Sequence, residues 1–154
     1  MTAMEVFERC RAADEDIRRI EADIERYRDA ATNVSPRLDS TGGGGCSVEK
    51  DRVGTLVAEV DRLQRAVQQR IARKCAEIDA SCKLIDRLPP TVRSVMHRYY
   101  VKGESLNEVA KRMKYSYGYV RKMKSDGVRM AMEIDKEDVA AALPDWYLAD
   151  SMAS

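Results

Sequence analysis

Residues 114–124 read KYSYGYVRKMK. Tyrosines 115, 117 and 119 occupy every second position, which is the period of a β-strand. The same stretch holds Lys114, Arg121, Lys122 and Lys124 and no acid. Extending the window separates strand from helix. From Val120, apolar or small residues return at Met123, Gly127, Ala131 and Ile134, in steps of three, four, four and three. That is the spacing of one helix face. At about 100° per residue the opposite face collects Gly118, Arg121, Lys122, Ser125 and Arg129, with Tyr117 and Tyr119 on its flanks. A strand would put Arg121 and Met123 on one side and gain no segregation of apolar from charged residues. The stretch therefore reads as a turn, a Ser116 N-cap and the start of a basic helix, with Tyr115 in the turn or core.

The residues before it supply the rest of a motif. In SLNEVAKRM (105–113), Ser105 and Glu108 stand at capping-box spacing, and Leu106, Val109, Ala110 and Met113 make an apolar face. TVRSVMHRYYVKG (91–103) predicts a helix with Val92, Val95, Met96 and Tyr99 inward, stopped at Gly103. Of Tyr99 and Tyr100, one is expected to pack inward and the other to lie partly exposed. Upstream, Leu88 precedes tandem prolines, which ends any preceding helix and places Pro90 in the first turn of the next. An eight-residue helix, a short turn and a basic second helix describe a helix-turn-helix. A helix lying in the major groove needs small residues for close approach and long donors for base edges and phosphates. Gly118 permits the approach, Arg121 can be bidentate to guanine, and Lys122 and Lys124 can reach phosphates. The candidate DNA-binding residues are Tyr117, Gly118, Tyr119, Arg121, Lys122, Lys124, Ser125 and Arg129.

Charge supports a local polyanion surface. The net charge of the 154-residue chain is only +1, yet residues 88–130 carry 10 basic and 3 acidic side chains, and residues 131–154 carry 1 basic and 6 acidic. The acidic tail is expected to form a short helix from Asp135 or Lys136 to Leu143. Its Trp146 and Tyr147 are candidates to dock on the helix-turn-helix or to bind another protein. Cys10, Cys46, Cys75 and Cys82 lack the close pairs that a zinc site needs, so neither a disulfide nor a metal is expected. Cys75 and Cys82 fall on one helical stripe and read as small buried residues. No cofactor motif, nucleophile triad or carboxylate pair stands out, and no catalysis is expected. Without an apolar run of membrane length or a signal pattern, the chain reads as cytoplasmic, with no membrane partner.

The first half carries two long amphipathic stripes. One runs Ala3, Val6, Cys10, Ala13, Ile17, Ile20, Ile24, Tyr27 and Ala31. The other runs Val53, Leu56, Val57, Val60, Leu63, Val67, Ile71, Cys75, Ile78, Cys82 and Ile85, predicting a helix of about 35–40 residues. Between them Pro36 and four consecutive glycines mark a flexible connector over about residues 33–50. The expected organisation is all-α: a helical hairpin for self-association (1–87), a helix-turn-helix (88–134) and an acidic tail (135–154). Whether the hairpin closes within one chain or across a dimer is left open by the pattern.

SLNEVAKRMKYSYGYVRKMKSDGVRM (105–130) resembles the helix-turn-helix of region four of bacterial sigma factors, through Leu106, Glu108, Val109, Ala110, Ser116, Val120 and Arg121. HRYYVKGESLNEVAKRMKYSYGYVRKM (97–123) also resembles the phage-encoded ArpU-like transcriptional regulators, which join an N-terminal helical segment to such a module. Two positions depart from the sigma pattern: Lys114 stands where the turn usually has glycine, and Gly127 where alanine is common. The resemblance implies that the helix after Ser116 reads DNA through Tyr117, Gly118, Arg121, Lys122 and Ser125. The implied function is a phage or prophage transcription regulator that binds double-stranded DNA as a homo-oligomer, with RNA polymerase a further candidate partner. Alternatives are a DNA-packaging component similar to a small terminase subunit, or a protein-interaction module that reads no DNA.

Overall fold

The computed structural model describes residues 1–32 and 46–153, with side chains from residue 51 onward in the second segment. Among them every regular element is helical: α1 (Ala3–Thr32), α2 (Cys46–Ile85), α3 (Pro90–Met96), one π-helical turn (His97–Val101), α4 (Leu106–Met113), α5 (Tyr117–Met132), α6 (Lys136–Ala142) and α7 (Asp145–Met152). The chain is all-α, two long helices followed by a helix-turn-helix. None of the described helices is long and apolar enough to cross a membrane. α2 starts at Cys46, ahead of the Val53 from which the apolar stripe runs. The remainder of the glycine-rich connector, 33–45, lies outside the described residues.

The chain packs as two compact units, Glu15–Ile71 and Met1–Asp14 with Ala72–Ser154. These units cut across the sequence-pattern boundary at 87 and 88. In the first, the later turns of α1 pair with the earlier turns of α2. Ile24 and Leu63 are buried there, and Glu21, Glu25 and Arg28 share a groove with Gln64, Val67 and Gln68.

The larger unit is built around one apolar core. Ala3, Val6 and Phe7 of α1 meet Ala80, Leu84 and Ile85 of α2, then Leu88, Val92, Met96 and Tyr100, then Ala131, Val139, Leu143 and Tyr147. The Phe7 and Tyr100 ring centroids are 5.6 Å apart. Tyr100 is the inward residue of its pair and Tyr99 is half-buried, which corrects the expectation for Tyr99. The cause is the π turn, whose wider coil moves the inward position after Met96 from the third to the fourth residue.

The stripe expected along α2 also needs correction. Ile71 is 44% exposed and Cys75 is exposed, whereas Glu77, Ser81 and Leu84 are buried. The packed line of the larger unit runs instead through Lys74, Glu77, Ser81 and Leu84, in a three-four rhythm with polar residues at three of its positions. Two of those polar residues have partners within the larger unit. Lys74 pairs with Asp14 and Glu77 accepts the Tyr147 hydroxyl, while buried Ser81 lies beside the Cys10 thiol, which burial pushes up from its ordinary pKa. Cys10 is buried and free, Cys82 is half-buried and free, and the side chain of Cys46 lies outside the described residues.

The acidic tail belongs to this core. Tyr147 is fully buried, with its oxygen shared between Glu77 and Arg9, and α6 is tied to the end of α2 by Arg87 and Asp138 at 2.6 Å. Trp146 remains 46% exposed.

Candidate nucleic-acid interface

The α4–turn–α5 unit is assembled by local chemistry that the sequence spells out. Glu108 donates its amide to Ser105 Oγ at 3.2 Å, and the Ser105 amide donates back to the Glu108 carboxylate at 3.1 Å. This capping box satisfies two free amides of the first turn of α4. At the other end, Lys114 takes the left-handed conformation, φ 57°, and its amide returns to the Ala110 carbonyl. Among the described residues it is the one non-glycine with positive φ. The turn keeps the geometry that glycine would give it, at a cost of about 1–2 kcal/mol for a residue with a Cβ. Ser116 then caps α5, its Oγ accepting the Tyr119 amide at 3.2 Å.

Val95, Val109, Ala110 and Val120 form a small core between α3, α4 and α5 and hold the two helices of the motif together. On its next turns α5 lies against α3. A Cβ on Gly127 would come within 2.6 Å of Met96 Sδ and 2.9 Å of Val92 Cγ1. Glycine at this position is therefore a condition of close helix packing. The departure from alanine is explained by the bulk of Met96.

Around this frame the candidate residues separate into two groups. Gly118, Arg121, Lys122, Ser125 and Arg129 are exposed, as are Tyr117 (47%) and Tyr119 (41%). Tyr115 is exposed too, its ring centroid 4.9 Å from that of Tyr119, so it belongs to the aromatic surface and not to the core. Lys124 turns the other way: half-buried, it sets Nζ 4.1 Å from the centroid of the Tyr99 ring. At 100° per residue Lys124 sits roughly 55° from the centre of the apolar face, so its stem follows the packed side. Arg129 lies 3.8 Å from Asp126.

Apart from Arg129, which lies beside Asp126, the exposed face is electropositive and unneutralised. Among the described residues no carboxylate lies within 4.0 Å of Arg121, Lys122, Lys111 or Lys114. The first turn of α5 contains no acid, so the positive end of the helix dipole is unscreened as well. Lys111 and Lys114, absent from the sequence-based site, extend this surface across α4 and the turn.

Two residues that support the motif, Glu104 and Arg11, carry no sequence signal. Glu104, buried just before α4, lies 3.4 Å from both Arg98 and Arg112. Arg11 of α1 donates from Nη1 to the carbonyls of Tyr99 and Glu104, and its guanidinium carbon is 3.8 Å from the Tyr99 centroid. Tyr99 is thus approached by Arg11 from α1 and Lys124 from α5.

Residues 84–130, less than a third of the chain, match the family model described as sigma-70, region 4. No curated protein and no solved structure matches the chain. The matched segment runs from the end of α2 through α3, the π turn and α4 into the last turn of α5. It contains the whole capped helix-turn-helix and ends before the acidic tail.

Proposed function

We propose that this chain binds duplex DNA sequence-specifically and serves as a phage or prophage transcription regulator, with α5 as the recognition helix. The observation that carries the reading is the exposed, acid-free face Gly118–Arg121–Lys122–Ser125 at the capped start of α5, within the segment that matches sigma-70 region 4. A helix presented this way offers base-edge donors in its first two turns and a bare backbone at Gly118 for close approach. Lys111, Lys114 and the hydroxyls of Tyr117 and Tyr119 serve phosphates on either side. The N-terminal helices would pair two copies and set two recognition helices on half-sites. The role is binding, without catalysis.

The test is footprinting of the full chain on phage and host DNA, alongside the Arg121→Ala/Lys122→Ala variant. A discrete promoter-proximal footprint that weakens in the variant supports the reading. Absence of any footprint, with the protein folded, would favour a module that contacts a protein partner.

A further inference from the structure

Resting on that DNA-binding reading, we infer that α5 selects keto bases, guanine foremost, on the strand it contacts. In the major groove guanine presents two acceptors, O6 and N7, and thymine one, O4. Adenine sets a donor beside its acceptor and is matched by Asn or Gln; the cytosine amino group is matched by Asp or Glu. The reading face of α5 holds only half of this vocabulary. Residues 117–129, YGYVRKMKSDGVR, contain no Asn, Gln, Glu or His. Their single acid, Asp126, is half-buried and lies 3.8 Å from Arg129.

What remains is strongly donating. Arg121 and Lys122 are exposed, and neither has a carboxylate partner among the described residues. Gly118 contributes no side chain, and a Cβ there would meet nothing within 4 Å of the protein, so the space before it is open. The Ser125 and Tyr117 hydroxyls can donate or accept and do not shift the balance. The guanidinium fork of Arg121 fits the paired O6 and N7 of guanine. The point-like ammonium of Lys122 takes a neighbouring O6, N7 or O4. The exposed ring of Tyr117 adds apolar surface suited to a thymine methyl.

The experiment is selection of bound sites from randomised duplexes with the full chain. The bound site is then resynthesised with 7-deazaguanine, which replaces N7 by carbon, or with 7-deazaadenine. We expect a guanine in every enriched site, a loss of about tenfold in affinity when it is replaced by 7-deazaguanine, and less than about twofold with 7-deazaadenine. Arg121→Ala protein should no longer distinguish guanine from 7-deazaguanine. Enriched sites defined by adenine and sensitive to 7-deazaadenine, or specific binding indifferent to both analogues, would overturn the inference and leave DNA binding standing. Absence of binding to any duplex would overturn both.

Discussion

Arg11, in the third turn of α1, lays its guanidinium carbon 3.8 Å from the Tyr99 ring centroid and hydrogen-bonds that residue's carbonyl from Nη1. The π turn explains why the carbonyl needs a side chain. The Lys102 amide reaches back five residues to His97 at 3.1 Å and the Glu104 amide to Arg98 at 3.1 Å, after which the helix stops. Tyr99 O is beyond the reach of that ladder. The first turns of α1 are thus part of the body that carries α5.

Arg11→Ala removes the cap, the cation–π contact and a bond to Glu104 O. The expected loss is about 1–3 kcal/mol of unfolding free energy, measured by urea titration of the full chain. Deleting residues 1–14 removes Ala3, Val6 and Phe7 from the core as well and should abolish cooperative unfolding of the helix-turn-helix. A truncated chain that melted cooperatively at the full-length midpoint would refute this dependence.

The two glycines of α5 should respond in opposite directions. Gly118→Ala fills open space and gains up to about 1 kcal/mol of helix propensity. Gly127→Ala gains the same propensity but drives a methyl to 2.6 Å from Met96 Sδ, an overpacking cost of about 1–3 kcal/mol. Calorimetry should therefore show a raised melting temperature for the first and a lowered one for the second. Equal shifts of the same sign would contradict the packing argument.

Lys114→Gly relieves a residue at φ 57° in the turn. A stabilisation of roughly 0.5–1 kcal/mol is expected, since glycine enters this region without a Cβ clash but loses more chain entropy on folding. Lys114→Val should destabilise by more than that, β-branching being least tolerated at positive φ. Denaturant midpoints of the two variants, compared with wild type, provide the check.

Burial raises the Tyr100 hydroxyl pKa to about 12. The folded state then holds its proton where the unfolded chain, titrating near 10, has lost it. Stability from this group is whole below pH ~10 and falls as pH rises toward about 12, by on the order of 2 kcal/mol. Tyr147 is raised in the same direction, burial being the first cause and its bond to Glu77 the second, so it adds to the alkaline loss. Tyr100→Phe should flatten that part of the stability–pH curve. A curve unchanged between pH 9 and 12 would show that Tyr100 is not the group responsible.

Much of the local architecture was legible from residue types. The Ser105–Glu108 box, the Ser116 cap, the helical period from Val120 and the seam of α1 are all short-range patterns, and the structure places them as expected. The seam of α2 was followed wrongly at Val57, Ile71 and Cys75, all exposed, because counting apolar residues leads to them. The packed line runs instead through Lys74, Glu77 and Ser81, whose neighbours Asp14, Tyr147 and Cys10 are distant in sequence. The same limit hid Tyr147 as a core residue and Arg11 as a cap. Periodicity reports which face of a helix is distinct, but not what covers it. Lys124 shows this within the candidate site, since only the position of Tyr99 reveals that its ammonium turns inward.

Fluorescence anisotropy of a labelled target duplex, titrated over a series of salt concentrations, tests the assignment of α5 most directly. It compares wild type with Arg121→Ala/Lys122→Ala. Both side chains are exposed, so the variant should melt at the wild-type temperature. Its affinity for the target should fall by about tenfold or more, while the steep fall of log K with log salt persists, because the phosphate contacts of Lys111, Lys114, Tyr117 and Tyr119 remain. Wild-type affinity for the target in a folded double variant would contradict the assignment of α5 as the DNA-reading helix.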